Sequence, residues 1–204
     1  MNASYTMNPQ YQRAINSTKK SLVFWIVLLF PLVFFSSSLQ AQSILSVRYS
    51  PESTDFLGHL KYFSKFDFEY SKIFYQDDRY SYNPSIRLSI LNLHLRNHSG
   101  YTDRYGVPPG QRFVAFGIVP ASFSERLSNL PLYVDEGLGV GYFPKRFPNK
   151  NGRNFNLIIE AGFHVTVKQV LLIGYRYSHV SNAWTGRVNP GMDSNMFSVG
   201  VIIP

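Results

Sequence analysis

From about residue 43 onward the chain alternates. Short runs rich in Tyr, Phe, Val, Ile and Leu switch between apolar and polar at successive residues, and clusters of Gly, Pro, Asn, Asp and Ser separate them, with no sustained helical period. Eight such runs fall near residues 44–50, 63–75, 85–96, 112–123, 131–143, 155–167, 170–182 and 195–203. Most come close to the roughly 9–11 residues that a tilted strand needs to cross a bilayer. An even number of antiparallel strands can close on itself. The predicted fold is therefore all-β, an eight-stranded antiparallel transmembrane β-barrel.

The composition of the two faces argues for a membrane. In the sixth run Phe155, Leu157, Ile159, Ala161, Phe163 and Val165 share one side, and Asn156, Glu160, Gly162, His164 and Thr166 share the other with Ile158. In the seventh, Leu171, Ile173, Tyr175 and Tyr177 oppose Gly174, Arg176 and Ser178, and in the eighth Phe197, Val199, Val201 and Ile203 oppose Ser198 and Gly200. Polar sets containing Glu160, His164 and Arg176 suit the interior of a narrow barrel, where they can form a hydrogen-bonded plug. A soluble lipocalin-like barrel is the alternative, because alternation alone does not say which face is outside. The apolar phase switches between Ile90 and Leu91, which predicts a β-bulge in the third strand.

With both termini in the periplasm, the outer loops are residues 51–62, 97–111, 144–154 and 183–194, and the inner turns 76–84, 124–130 and 168–169. The third outer loop holds Lys145, Arg146, Lys150 and Arg153, a basic group suited to lipopolysaccharide phosphates or simply to solvent.

The first 41 residues read as export machinery. Lys19 and Lys20 precede an apolar run from Leu22 to Phe35, and Ser36 to Ala41 supply a small, polar cleavage region, with cleavage placed after Ala41. An N-terminal transmembrane anchor is the rival, but the run is short for a bilayer and contains Pro31. Translation can begin at Met1 or Met7 without changing the mature chain. Residues 1–41 are thus the expected signal peptide and 42–204 the barrel, with a catalytic outer loop region at 179–193.

Charge and cysteine content narrow the function. Removing Arg13, Lys19 and Lys20, with no acidic residue beside them, takes the net charge from +8 to +5. An anionic partner is implied. No nucleic-acid motif is present, so an anionic membrane surface fits better. With no cysteine, the chain has no disulfides, thiolate metal site or lipidated Cys.

The most informative stretch is Tyr177-Ser178-His179-Val180-Ser181-Asn182. His179 and Ser181 are two apart on a strand, so they leave one face, and that face is the apolar one. Polar groups directed at hydrocarbon need a reason. A serine hydroxyl beside an imidazole makes an esterase dyad, since the imidazole can take the hydroxyl proton during attack on an ester carbonyl. Asp193, at the start of the next strand, is placed to orient that imidazole, and Asn189 or Asn182 can donate to the oxyanion. On the residues alone, a His and a Ser so placed are more often ordinary rim residues than catalysts.

The order and spacing of His179-Val180-Ser181-Asn182-Ala183 and Asn189-Pro190-Gly191-Met192-Asp193, followed by a last strand, resemble the signature of the PagL-type lipid A 3-O-deacylases, the acyloxyacyl hydrolase family. The resemblance extends less specifically to the export signal, the eight-stranded size and the Gly-rich segment Glu136 to Tyr142. It implies Ser181 as nucleophile, His179 as base, Asp193 as the acidic member where many relatives have Glu, and Asn189 as oxyanion donor. It implies a hydrolase of the bacterial outer membrane that modifies lipopolysaccharide by removing the 3-position acyl chain of lipid A, without metal or organic cofactor. A phospholipase or broader acyl esterase, and a non-catalytic adhesin or scaffold, stay open, as does a homodimer.

Other features add little. His94 and His98 are four apart on a strand end and His59 lies elsewhere, a poor metal set, and Ser99 has no acid nearby. No Gly-x-Ser-x-Gly elbow or phosphate-binding glycine loop occurs. Trp184 reads as an interfacial belt residue or as a wall of an acyl groove.

Overall fold

The computed structural model describes residues 42–54, 61–93, 110–127, 129–183, 185–187, 189 and 191–204. The expected signal peptide, His59, His94, His98, Ser99, Trp184 and Pro190 lie outside them.

The strands are β1 (Ser43–Thr54), β2 (Lys61–Lys72), β3 (Tyr75–Gln76), β4 (Tyr80–Tyr82), β5 (Ser85–Leu93), β6 (Arg112–Arg126), β7 (Leu132–Phe147), β8 (Arg153–Val167), β9 (Leu171–Ser181) and β10 (Met192–Ile203). All pair antiparallel, β1 lies beside β10, and the β6–β7 pairing closes the sheet. β4 and β5 both pair with β6, on either side of Asn83 and Pro84, so they act as one interrupted strand, and β3 extends β2. The result is a closed eight-stranded barrel.

Side-chain direction decides which solvent this barrel is built for. Leu45, Val47, Phe68, Ile86, Phe116, Val140, Phe163 and Val199 face outward and are exposed. Arg48, Lys65, Asp67, Glu69, Arg87, Asp135 and Glu160 face inward and are buried. A dry apolar wall around a charged interior is the arrangement for hydrocarbon, the reverse of a soluble barrel. Glu160 meets Arg87 at 2.6 Å, Arg48 at 3.2 Å and Arg176 at 3.3 Å; Glu69 pairs with Arg48 and Arg87. His164 Nδ1 contacts Asp135 at 2.9 Å, and Arg176 reaches the same carboxylate at 3.1 Å. The plug expected around Glu160, His164 and Arg176 is therefore present and draws in four further strands.

The interior is not polar throughout. Phe63, Leu91, Phe113, Ala115, Phe143, Phe147, Ile158, Val180 and Met192 form an inward apolar cluster at the end where β9 passes to β10. Phe113 and Phe147 pack edge to face with ring centres 5.2 Å apart.

This cluster corrects one expectation. The register of β5 runs unbroken past Ile90 and Leu91 against both neighbours, so no bulge lies there; Leu91 simply points into the apolar cluster. Register shifts occur instead in β1 between Tyr49 and Ser53, between β6 and β7 near Pro120, and between β7 and β8 beyond Tyr142. Pro120 has no backbone donor and fits such a break. Opposite it, a Cβ on Gly139 would stand 2.2 Å from the Ile118 carbonyl oxygen, so glycine permits the close approach there.

The connections also differ from those expected. Strand pairing continues through most of 144–154 and leaves a turn at 148–152, and the span 76–84 contains the small β3–β4 hairpin. The turn at Lys168 and Gln169 is as read, with φ of 51° and 57°, the left-handed pair of a tight hairpin.

Candidate active site

The wall that carries the candidate residues is set by three strand registers. Asp193 on β10 lies directly opposite His179 on β9, and Met192 opposite Val180; on the other side Ile159 and Leu157 of β8 pair with His179 and Ser181. Alternation turns Tyr177, His179 and Ser181 outward and sends Ser178 and Val180 inward, where they are buried. Val180 and Met192 both belong to the aromatic cluster. The strand segment holding His179 and Ser181 is thus clamped from behind by packing that the inward residues supply.

His179 Nδ1 stands 2.6 Å from Asp193 Oδ1, with only 14% and 12% of the two side chains exposed. With the Asp193 carboxylate oxygen as acceptor, Nδ1 is the donor in this contact, which leaves Nε2 as the nitrogen that can serve as a base. Ser181 is buried and lies one strand repeat, about 6.6 Å, beyond His179 on the same face. The Tyr177 hydroxyl donates to the same Asp193 oxygen at 2.6 Å. Sequence reasoning passed over Tyr177 as one more lipid-facing aromatic. The signal available was its place two residues before His179, on the same face and ending in a hydroxyl.

The connection after Ser181 is organised by Asn182. Its carbonyl accepts from the Thr185 amide at 2.9 Å and the Thr185 hydroxyl at 2.7 Å, and its amide donates to Asn189 Oδ1 at 3.0 Å. With Oδ1 accepting there, Nδ2 is the donor end of the Asn189 amide. The Asn182 side chain is buried, and a Cβ on Gly186 would stand 2.9 Å from its Nδ2. Ala183 at φ 48° and Gly191 at φ 64° supply the left-handed positions that turn the chain. The outer loop expected at 183–194 is a connection of 182–191, between two strand ends that carry His179, Ser181 and Asp193.

Lys145 and Arg146 lie at the end of β7, Lys150 in the turn and Arg153 at the start of β8, and all four are exposed. The Arg146 guanidinium donates to the Lys150 carbonyl at 3.1 Å. Arg153 Nε donates to the Thr185 carbonyl at 2.7 Å, and the Arg187 amide donates to the Asn151 carbonyl at 3.1 Å. The basic turn is thereby tied to the connection that bears Asn189.

The family model described as lipid A 3-O-deacylase (PagL) matches residues 60–201, well over half of the chain and inclusive of every candidate residue. The chain belongs to the PagL family. Among solved structures, that of the outer membrane enzyme PagL is similar at a TM-score of 0.51 and 14% identity, over 79% of this chain and 99% of that one. Ail of Yersinia pestis in a phospholipid nanodisc follows at 0.48 and 14%, over 80% and 100%, and neisserial surface protein A at 0.47 and 10%, over 80% and 96%. No curated protein sequence matches the chain. At such identities the PagL structure speaks for the fold, a small closed barrel, while the family model carries the membership. Membership and the apolar wall together make the outer membrane the setting of this PagL-family protein.

Proposed function

We propose that this PagL-family protein is a serine esterase that removes an ester-linked acyl chain, the one at position 3, from lipid A of lipopolysaccharide, with residues 1–41 acting as its export signal. The observation that carries the reading is the 2.6 Å contact between His179 Nδ1 and Asp193 Oδ1, on the lipid-facing wall one strand repeat from Ser181. A hydrogen-bonded imidazole and carboxylate beside a serine have little to gain in hydrocarbon unless an ester is brought to them.

In this mechanism the Ser181 hydroxyl attacks the ester carbonyl while His179 Nε2 accepts its proton, and Asp193 steadies the imidazolium that results. Asn189 Nδ2 donates to the tetrahedral oxyanion; it is the stronger of the two candidates, because the Asn182 side chain is buried beneath Gly186. Collapse of the intermediate expels the sugar alkoxide, which takes the proton from His179. Water, deprotonated by the same imidazole, then resolves the acyl-enzyme to a free fatty acid. The acyl chain stays against the apolar wall beside Leu157 and Ile159, and Lys145, Arg146, Lys150 and Arg153 at the same end are the cations for the substrate's phosphates. Every candidate residue lies in one chain, so the chemistry requires no second copy, and it requires no metal or organic cofactor.

The test is expression of the wild type and Ser181→Ala in a Gram-negative host with well-defined lipid A, with outer-membrane insertion of both verified. Mass spectrometry is expected to show loss of one 3-hydroxy acyl chain with the wild type only. Identical lipid A from two well-inserted proteins overturns the substrate, and an active Ser181→Ala overturns the nucleophile. Hydrolysis of phospholipid in place of lipid A redirects the same site to a phospholipase.

A further inference from the structure

Asp193 presents one oxygen to two donors. The His179 imidazole and the Tyr177 phenol both meet Oδ1 at 2.6 Å, from residues two apart on the outward face of β9. The β9–β10 register pairs Asp193 with His179 and places Tyr177 opposite Asn195, two positions deeper in the wall. The phenol therefore reaches along the strands toward the rim, from a residue that is 37% exposed on the outward face. On the remaining side the β1 neighbour of Asp193 is Thr54.

We infer that Tyr177 is a positioning residue for this site. It touches none of the reacting atoms; it holds the Asp193 carboxylate where His179 needs it. The physical need is specific to this wall. A carboxylate on this wall held by a single donor can swing toward the polar rim, and that swing takes its oxygen away from the imidazole. A second donor fixed two residues away on the same strand prevents it. The hydroxyl also explains why a tyrosine at a lipid-facing position directs its polar end along the sheet. The inference rests on the esterase reading of Ser181 and His179.

Tyr177→Phe removes the hydroxyl and keeps the ring. Folded wild type, Tyr177→Phe and Ser181→Ala, verified by heat-modifiable electrophoretic mobility, are compared in detergent micelles by two readouts. One is turnover of lipopolysaccharide of defined lipid A, and the other is the rate of covalent labelling by a small water-soluble fluorophosphonate. The probe reports nucleophile activation without any acyl chain seated on the wall. Loss of a hydrogen bond to a charged group predicts a fall of roughly 10- to 100-fold in kcat, with KM little changed, and an equal fall in labelling rate. Wild-type kcat and labelling rate in Tyr177→Phe overturn the inference, as does a raised KM with normal labelling, which would make Tyr177 a wall for the acyl chain only. The Ser181→Ala arm separates the two levels. If it turns over substrate and labels as the wild type does, the triad reading has failed and Tyr177 falls with it; if it is silent in both, a normal Tyr177→Phe overturns the positioning role alone.

Discussion

A side chain on the outer wall of this barrel is judged by what it would do in hydrocarbon, and by that measure His179, Ser181 and Asp193 stand apart from Leu157, Ile159 and Phe197 around them. Asn189 belongs to the proposed site through the adjoining connection: its Oδ1 is engaged by the Asn182 amide at 3.0 Å, so its Nδ2 is the end that can donate. Asn189→Ala is therefore expected to lower kcat by about 10²–10³ with KM nearly unchanged, since an oxyanion donor acts on charge that develops only in the transition state. Steady-state kinetics on defined lipopolysaccharide checks this, and a change confined to KM would move Asn189 from oxyanion donor to substrate binder. The positions of His179, Ser181 and Asp193 were legible in the sequence because a polar pair at i and i+2 interrupts an apolar face and an acid returns where the next strand starts. Tyr177 was not legible, because a tyrosine suits an apolar face, and only the register that sets Asp193 beside it reveals what its hydroxyl meets. The family resemblance already ranked Asn189 above Asn182 at the level of sequence, and burial of the Asn182 side chain beside Gly186 points the same way.

Strands were the most readable level, because a lipid-facing wall enforces apolar residues at every second position across the whole circumference. The readings that failed share one cause. The interior carries no single polarity: Leu91 points inward into an aromatic cluster, so an apolar inward residue imitated a change of phase. In the same way Lys145, Arg146 and Arg153 looked like loop, although backbone pairing carries β7 and β8 beyond the apolar band and into a polar zone where charge and strand coexist. Glycines on β7 show how locally the fold is specified. Gly139 faces the break near Pro120, where an added Cβ would lie 2.2 Å from the Ile118 carbonyl oxygen and 2.8 Å from the Val119 Cα, both backbone atoms. At Gly141 the nearest atom is the Ile158 Cδ1 at 3.4 Å, the tip of a flexible side chain. Gly139→Ala is accordingly expected to prevent closure of β6 on β7, leaving no heat-modifiable folded band, whereas Gly141→Ala folds with near-normal yield. Equal folding of the two variants would show that the β6–β7 contact adjusts more freely than its backbone spacing implies.

Taken whole, the molecule is inside out relative to a soluble domain, and this changes what holds it together. Its apolar wall meets lipid in the folded state, so the interior must supply the specific cohesion, and it does so in two layers. Behind the candidate site the layer is aromatic, built on Phe63, Phe113, Phe143 and Phe147. Toward the end where β1 begins and β10 finishes, it is ionic, with four carboxylates among the described residues, Asp67, Glu69, Asp135 and Glu160, set against four cations, Arg48, Lys65, Arg87 and Arg176. Glu160 is fully buried and is shared by three arginines, so neutralising it leaves buried guanidinium groups facing one another with too few counter-charges. Glu160→Gln is expected to destabilise the barrel by about 3–5 kcal/mol, the cost of breaking a buried ion network from one side. The Arg79–Glu125 pair on the small hairpin provides the contrast: its side chains are 65% and 39% exposed, and Glu125→Gln is expected to cost less than about 1 kcal/mol. Urea unfolding in micelles, followed by tryptophan-independent circular dichroism, measures both. Because Glu160 and its partner Arg176 lie on the inward face, whereas His179 and Ser181 leave β9 on the outward one, Glu160→Gln is further expected to keep kcat within about twofold at temperatures where it remains folded, a separation of stability from activity that follows when mutation and reacting atoms share no partner. A collapse of kcat in fully folded Glu160→Gln would instead mean that the ionic layer sets the geometry of β9 as well as the stability of the barrel.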